Sequence, residues 1–226
     1  MLFLLLFQCV NWVNFYGNGI NDVIRDVEVC SDGGFIMVGY TLTDTNYFDV
    51  LLIRTDNAGN ILWERTFGDT NDQRGRGVCI TPDNGFAVTG YSYRDTLTGR
   101  DMFLLKYDST GILQWVNHYG GERDDEGNGV GVYLNNYYLI VGYTMSFGGL
   151  SYDFYIVKTD SIGNKVSEYC DGGGCYDELY DILPLNTGDY AVCGYTGSFG
   201  NGGFDMFMSL ISINSPVGYS LWGNLL

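Results

Sequence analysis

The chain has 226 residues, among them 33 glycines, 19 tyrosines and 13 phenylalanines, and a formal net charge of −16 at pH 7. So much glycine and aromatic residue disfavours a helical protein, because glycine weakens helices and aromatic side chains prefer strands. With only 11 basic residues, the composition also excludes a nucleic-acid-binding protein, which needs a basic surface for the phosphates.

Residues 1–8, MLFLLLFQ, have two interpretations. The apolar run resembles that of a signal peptide, but no basic residue precedes it and no small-x-small cleavage site follows it. It also resembles a strand of the repeat described next, since residues 1–5 are similar to residues 102–105, and we favour this second interpretation. The run is too short to span a membrane. We therefore expect residues 1–21 to be outer strands of a preceding unit, or a stunted signal segment.

A pattern with a period of 51 or 52 residues recurs four times along the chain. Each copy has a turn, an aromatic residue and an apolar run that ends in Gly-Tyr, at Tyr40, Tyr91, Tyr143 and Tyr195. An aspartate then opens a second apolar run, at Asp49, Asp101, Asp153 and Asp205. Three copies continue with a basic residue and an Asp-x-x-Gly turn, the basic residues being Arg54, Lys106 and Lys158. Self-similarity at several independent positions is typical of a repeat architecture.

Each repeat contains four candidate strands, which in the second repeat are residues 76–81, 86–93, 101–107 and 112–119. The second and third candidates are apolar on both faces, and such strands must be covered on both sides. Four-stranded antiparallel sheets stacked around an axis meet this requirement, and units of this length suit a β-propeller. The sequence therefore predicts an all-β fold of four-stranded propeller blades. A β-sandwich, which would show cleaner alternation, is the alternative.

The repeat resembles the bacterial β-propeller repeats called SBBP-type, and its layout is similar to that of NHL-type blades. The residues that carry this resemblance are GFAVTGYS at 85–92, the run opened by Asp101, KYDSTG at 106–111, and Trp115. The resemblance covers nearly the whole chain and implies a fold, but no activity. It implies that the strand with Gly77 and Val78 is innermost and that the Trp strand is outermost. The blades are then expected at 22–71, 72–123, 124–176 and 177–226.

The fourth repeat departs from the pattern at Ser167, Leu210 and Ser212, where other copies have Trp, a basic residue and Asp. The chain thus starts inside one unit and stops at the edge of another. Either four blades close a ring by pairing the two ends, or the chain is part of a larger or incomplete ring. We favour the second alternative, in which the chain pairs with further repeats of a longer protein.

The six cysteines do not recur in register, so they are not framework positions of the repeat. Cys170 and Cys175 enclose a short Asp-Gly-Gly-Gly loop, which a disulfide would close in an exported protein; free thiols are the alternative. A zinc site is disfavoured, because His118 is the only histidine and no second close cysteine pair completes a ligand set.

Residues that recur from copy to copy are interpreted as scaffold. The Asp-x-x-Gly turns are expected to be hairpin turns in which Asp accepts backbone amides and Gly has a positive φ. Calcium is not supported, because no copy has the alternating oxygen ligands of a calcium loop, and we expect no cofactor. The strand-opening Asp residues are expected to cap loop amides. The Gly of each Gly-Tyr pair is expected to allow close approach of strands, and the outer Trp residues to pack between blades.

Function in repeat folds usually lies where the copies differ. Two sets of segments share one face of the predicted propeller: the links between blades, with eleven of the 27 acidic residues, and the loops between second and third strands. Acidic and aromatic residues together suit a carbohydrate, peptide or cation ligand. The predicted binding residues are Tyr47, Arg94, Asp124, Asp125, Glu126, Phe147, Tyr152 and Phe199.

The densest acidic cluster, Asp124, Asp125 and Glu126, suggests the paired carboxylates of a glycan-active enzyme. Adjacent residues on one loop do not set two carboxyl groups across a sugar, however. The sequence also has no Gly-x-Ser-x-Gly, no supported Cys/His pair and no phosphate loop. We therefore expect a non-enzymatic module for binding or display, extracellular or at the cell surface, with a protein or carbohydrate partner. The alternatives are a hydrolase or lyase with its site in the central funnel, and a purely structural segment of a longer exported protein.

Overall fold

The computed structural model describes residues 12–17, 21–43, 47–93, 99–133 and 137–212. Within these ranges the fold is all β, as predicted, and contains no α-helix. The strands form four separate antiparallel sheets that follow one another along the chain. Each sheet contains its strands in chain order, so every neighbouring pair of strands is a hairpin.

The sheets are named in chain order. Sheet 1 contains β1 (Asp22–Val29), β2 (Phe35–Leu42), β3 (Phe48–Thr55) and β4 (Ile61–Phe67). Sheet 2 contains β5 (Gln73–Ile80), β6 (Phe86–Tyr93), β7 (Arg100–Tyr107) and β8 (Leu113–Tyr119). Sheet 3 contains β9 (Asp125–Tyr133), β10 (Tyr137–Thr144), β11 (Asp153–Thr159) and β12 (Lys165–Asp171). Sheet 4 contains β13 (Asp177–Pro184), β14 (Tyr190–Thr196) and β15 (Asp205–Ile211).

The central strands are buried on both sides, as their continuous apolar runs predict. On β7, Phe103 and Leu105 belong to a core cluster shared with sheet 1. Their neighbours Met102 and Leu104 belong to a second cluster, shared with sheet 3. Since successive side chains of a strand point to opposite faces, sheet 2 is packed between sheets 1 and 3. Sheet 3 is packed in the same way between sheets 2 and 4.

A β-bulge interrupts the first strand of every sheet opposite the Gly-Tyr pair. The extra residues are Arg25, Arg76, Asn128 and Tyr180. At this point the two backbones come so close that a Cβ on Gly142 would lie 1.9 Å from the carbonyl oxygen of Glu126. The same approach occurs at Gly39, Gly90 and Gly194. The prediction that this glycine allows close approach of the strands is confirmed.

The bulge also explains why the predicted start of β5 is wrong. The strand begins at Gln73, three residues before the predicted residue 76.

The outermost strands join consecutive sheets through aromatic contacts. Trp63 on β4 meets Phe86 of sheet 2 with ring centroids 5.7 Å apart, and Trp115 on β8 meets Tyr138 of sheet 3 at 5.8 Å. Trp12, which precedes sheet 1, meets Phe35 in the same way at 5.8 Å. The predicted packing role of these tryptophans is confirmed.

The Asp-x-x-Gly turns have the predicted geometry. Asp56 Oδ1 accepts hydrogen bonds from the amides of Ala58 and Asn60 at 2.9 and 2.8 Å, and Gly59 has a φ of 80°. Asp108 and Asp160 accept the equivalent amides in the next two sheets. These carboxylates therefore accept hydrogen bonds from the backbone amides of their own turns.

The basic residues near the ends of the third strands pair with a carboxylate in two sheets. Arg54 Nη2 donates to both oxygens of Asp32 at 2.7 and 2.6 Å. Lys106 is buried, and its Nζ donates to Asp83 Oδ2 at 2.9 Å and to the carbonyl of Tyr107 at 2.9 Å. Burial raises the pKa of Asp83, but hydrogen bonds from Thr81, Lys106 and Gly85 outweigh it and lower this pKa to about 2.

The Asp83–Lys106 pair predicts a loss of stability in acid. The folded pKa of Asp83 is about 2 and the unfolded value is about 3.9, so its contribution is complete above the unfolded value and disappears as the pH falls through the folded one. We expect Asp83→Asn to lower the urea midpoint at neutral pH, and this difference from wild type to shrink below about pH 4. The control is Glu122→Gln, at an exposed position outside the pair. A difference that stays constant between neutral pH and about pH 2.5 would contradict the assignment.

Candidate functional site

The links between sheets and the loops between second and third strands lie together at one end of the sheets, called here the loop end. In the link before sheet 3, the carbonyl of Asp124 accepts a hydrogen bond from the amide of Met145, in the β10–β11 loop, at 2.8 Å. In the link before sheet 4, the carbonyl of Tyr176 accepts one from the amide of Gly197, in the β14–β15 loop, at 2.7 Å. Asp124 Oδ1 accepts the amide of Arg100 at 2.9 Å. A link is thus tied to the loops of the sheets on both sides of it.

Asp125 is fully buried at the start of β9 and serves the loop around it. Its Oδ2 accepts hydrogen bonds from the amide of Gly121 at 2.8 Å and from the hydroxyl of Ser146 at 2.6 Å. Its Oδ1 accepts a hydrogen bond from the hydroxyl of Thr144. Asp177 makes the same set of contacts in sheet 4, with Gly173, Ser198 and Thr196. Asp125 is a structural carboxylate that holds two loop segments together.

Phe147 and Phe199 occupy equivalent places in loops that sequence reasoning treats as variable. Each phenylalanine follows the same Thr-x-Ser pattern, and each amide donates to the threonine hydroxyl three residues earlier, at 3.2 and 3.1 Å. Phe147 is half-buried and lies 5.6 Å from the ring of Tyr155. The pattern T-x-S-F-G at 144–148 and 196–200 was the available signal, and it marks a repeated loop.

The strand-opening aspartates cap these loops, as predicted for Asp153 and Asp205. Asp153 Oδ2 accepts the amide of Gly149 at 2.6 Å, and Asp205 Oδ2 accepts that of Asn201 at 2.9 Å. Burial raises the pKa of Asp153, and the nearby Asp177 and Asp171 raise it further. These groups position loops.

Asp124 and Glu126 are both paired with arginine. Arg100 Nη2 lies 2.6 Å from Asp124 Oδ2, and its Nη1 contacts Glu126 Oε1. Arg76 Nη2 approaches Glu126 Oε2 at 3.1 Å from the neighbouring first strand. Burial raises the pKa of Asp124, but its hydrogen bonds with Arg100 outweigh that effect and lower it. Asp124 is held as an anion, so it does not have the raised pKa of a general acid.

The two arginines also cover an aromatic ring. The guanidinium carbons of Arg76 and Arg100 lie 5.4 and 5.0 Å from the ring centroid of Tyr91, within the range of cation–π contacts. Sequence reasoning missed both arginines. A signal existed for Arg100, because it directly precedes a strand-opening Asp where other copies have an aromatic residue, such as Tyr152.

Two rows of aromatic rings run along the loop end of sheets 3 and 4. In the first row, Tyr143 and Tyr152 stack with centroids 4.0 Å apart and planes at 15°, and Tyr152 meets Tyr176 edge-on at 4.9 Å. The second row contains Tyr180, Tyr195 and Phe204, with successive centroids 5.6 and 5.1 Å apart. Tyr176, Tyr180 and Phe204 are exposed, so each row ends in a ring that solvent can reach.

The other predicted residues fall outside these clusters. Tyr47 is exposed, and its carbonyl accepts the amide and the hydroxyl of Thr43 at 3.0 and 2.9 Å. Arg94 lies outside the described residues. Cys170 and Cys175 are free cysteines, so the structure does not contain the predicted disulfide. Cys170 packs against the core shared by sheets 2 and 3, whereas Cys175 is exposed in the link before β13.

The part of the chain that is described contains neither a candidate metal site nor a candidate membrane-spanning helix. No three His, Cys, Asp or Glu side chains are grouped so that they could hold a metal ion. No helix in the described ranges has the length and apolar character that crossing a membrane requires.

Comparison with known proteins gives limited similarity. No family model matches the sequence. The regulatory protein FlaEY of Caulobacter vibrioides is 27% identical over an alignment 117 residues long, which covers 46% of this chain and 12% of that protein. The tail fiber of the Staphylococcus aureus phage P68 aligns with 85% of this chain and 50% of its own, at 9% identity and a TM-score of 0.29. This chain thus spans about one eighth of the first protein and half of the second, and neither similarity assigns it to a family.

Proposed function

We propose that the chain is part of a β-propeller and serves as a non-enzymatic module for binding or display, at the cell surface or outside the cell. Contacts between the first strands of consecutive sheets support the circular arrangement. Asp26 on β1 accepts the amide of Val78 on β5 at 2.9 Å, and Asn128 on β9 donates to the carbonyl of Leu179 on β13 at 2.8 Å. Burial raises the pKa of Asp26, and the carboxylate of Asp181 on β13 raises it further.

The use of the acidic residues supports a role other than catalysis. Glycoside chemistry needs one carboxyl group that is protonated and another that is free to act as nucleophile or base. Asp125 accepts hydrogen bonds from its own loop. Asp124 forms an ion pair with Arg100, and Glu126 forms one with Arg76. These residues build the loop end and leave its ligand contacts to other side chains.

The observation that carries the proposal is the pair of aromatic rows. Their exposed rings Tyr176, Tyr180 and Phe204 offer apolar faces that are held in position by contacts with neighbouring rings. Rigid aromatic side chains contribute most to binding surfaces because they bury a large area at a small entropic cost. Carboxylates such as Glu178 lie beside the second row. Flat apolar rings beside polar acceptors suit an oligosaccharide, and an extended peptide is the second class.

Array binding tests this function. The purified chain is expected to bind a subset of an oligosaccharide array, and Tyr176→Ala or Phe204→Ala to weaken binding by about tenfold or more, as for aromatic hot spots. Ile162→Ala is the matched control, since Ile162 is equally exposed in the turn at the opposite end of sheet 3. No release of reducing ends from the bound glycan is expected. Equal losses in the control, or turnover of the glycan, would contradict the proposal, and binding to a peptide array alone would change the ligand class.

A further inference from the structure

The last strand exposes an apolar face. Met206, Met208 and Leu210 alternate along β15 and are 98%, 72% and 66% exposed. Cys193 of β14 lies directly opposite Met208 in the register, so its exposed side chain belongs to the same face. We call these four residues the open face of sheet 4. The other face of the sheet packs against sheet 3, through Val192 and Phe207 among others.

The same positions are buried in the sheets that have a successor. Met102 and Leu104, the equivalents of Met206 and Met208, are 0% exposed and share a core with residues of sheet 3. In sheet 3, Phe154 and Ile156 are buried in the same way against sheet 4. The buried equivalents of Cys193 are Val38, Thr89 and Val141. An apolar face that is covered wherever the next sheet is present is therefore not covered in sheet 4 by any of the described residues.

The corresponding side of sheet 1 is covered over its central strands, where Met37, Leu51 and Ile53 are 8%, 6% and 1% exposed and Tyr16 packs against them. Its first strand is more open. Val27 on β1 is 52% exposed, whereas its equivalents in the first strands of the other sheets are buried; these are Val78, Val130 and Ile182.

Residues 12–17 lie against sheet 1 on this side. Trp12, Asn14 and Tyr16 contact the turn of sheet 1 around Gly59, and Tyr16 OH donates to the Gly59 carbonyl at 2.7 Å. In sheet 2 the residue equivalent to Tyr16 is Tyr119, which donates to the carbonyl of Gly163 in sheet 3 at the same distance. Residues 12–17 thus make the same contacts with sheet 1 that β8 makes with sheet 3.

We propose that the open face of sheet 4 is the docking surface for one further β-sheet of this same repeat type. The docked sheet presents large apolar residues where sheet 2 has Phe103 and Leu105, because these are the residues that cover the equivalent face of sheet 1. Continuity with the three existing interfaces between sheets carries the proposal. It concerns assembly and is independent of the ligand proposed for the loop end.

Cys193 provides a direct test. In the full chain, Cys193 is expected to react with iodoacetamide about as fast as the exposed Cys175, with labelling followed peptide by peptide by mass spectrometry. A second protein carries a copy of residues 72–123, joined after Leu226 by a Gly-Ser linker. In this extended chain we expect labelling of Cys193 to slow by about tenfold or more while Cys175 is unchanged. Hydrogen exchange of the β15 amides is expected to slow in parallel.

The matched control has the same extension with Phe103→Asp and Leu105→Asp in the appended copy only, and Cys193 is expected to react as fast there as in the unextended chain. Equal labelling of Cys193 with and without the unaltered extension would overturn the proposal, whether the appended copy folds elsewhere or not at all. The same 52 residues already fold against such a face within the chain. Slow labelling of Cys193 in the unextended chain that depends on protein concentration would also overturn it, by assigning the face to a second copy.

Discussion

Gly142→Ala is expected to lower the free energy of unfolding by about 3 kcal/mol, the upper part of the range for forced overpacking. The added Cβ would lie 1.9 Å from the carbonyl oxygen of Glu126, and backbone cannot move aside as a flexible side chain can. The two strands must separate at the bulge of sheet 3. The clash therefore disturbs both the β9–β10 hydrogen bonds and the contacts of this sheet with its neighbours.

Urea unfolding followed by tryptophan fluorescence measures this effect. The matched control is Gly174→Ala, because a Cβ at Gly174 meets no atom within 4 Å and its φ is not in the positive region. We expect the control to shift the free energy of unfolding by no more than about 0.5 kcal/mol, as at other surface positions. Equal effects of the two substitutions would show that the glycine of the Gly-Tyr pair is not required by the bulge.

Leu104→Ala and Met208→Ala form a second comparison, between equivalent positions in sheets 2 and 4. We expect Leu104→Ala to cost about 2–5 kcal/mol, because Leu104 is completely buried between two sheets and its truncation leaves a cavity. Met208→Ala is expected to cost no more than about 0.5 kcal/mol in the same chain, because Met208 is on the open face.

Denaturant titrations of both variants provide the measurement, with equal slopes as the condition for comparing their midpoints. A large loss at Met208 would mean that another part of the chain or a second molecule covers the open face. A small loss at Leu104 would contradict the stacking of sheet 2 on sheet 3.

Much of the scaffold could be predicted from the sequence. The continuous apolar runs of β6 and β7, the turns such as Asp56–Gly59 and the packing of Trp63 and Trp115 follow from patterns that recur along the chain. Such patterns report local geometry and burial, which depend on neighbouring residues. The start of β5 was placed too late because a bulge with glycines on both sides breaks the alternation.

The candidate site could be predicted only in part. The sequence identified Asp124, Glu126 and Tyr152, but it missed the arginines that pair with these acids and the rings that extend the aromatic rows. Arg100 and Asp124 are 24 residues apart, and Arg76 and Glu126 are 50 apart. Contacts over such separations depend on strand register and on the stacking of sheets. No local pattern contains that information.

The sequence by itself determined the repeat, the all-β class, and the residues that build the Asp-x-x-Gly turns and the tryptophan contacts between sheets, because those features need only a period and a residue type. The tertiary structure decided which of the repeated side chains have hydrogen-bond, ion-pair or packing partners and which are exposed. It made Asp125 a loop anchor, it neutralised the acidic cluster, and it left Met206 and Met208 uncovered where Met102 and Leu104 are buried. The residues of these two strands are alike, and their burial differs because one sheet has a successor and the other has none among the described residues.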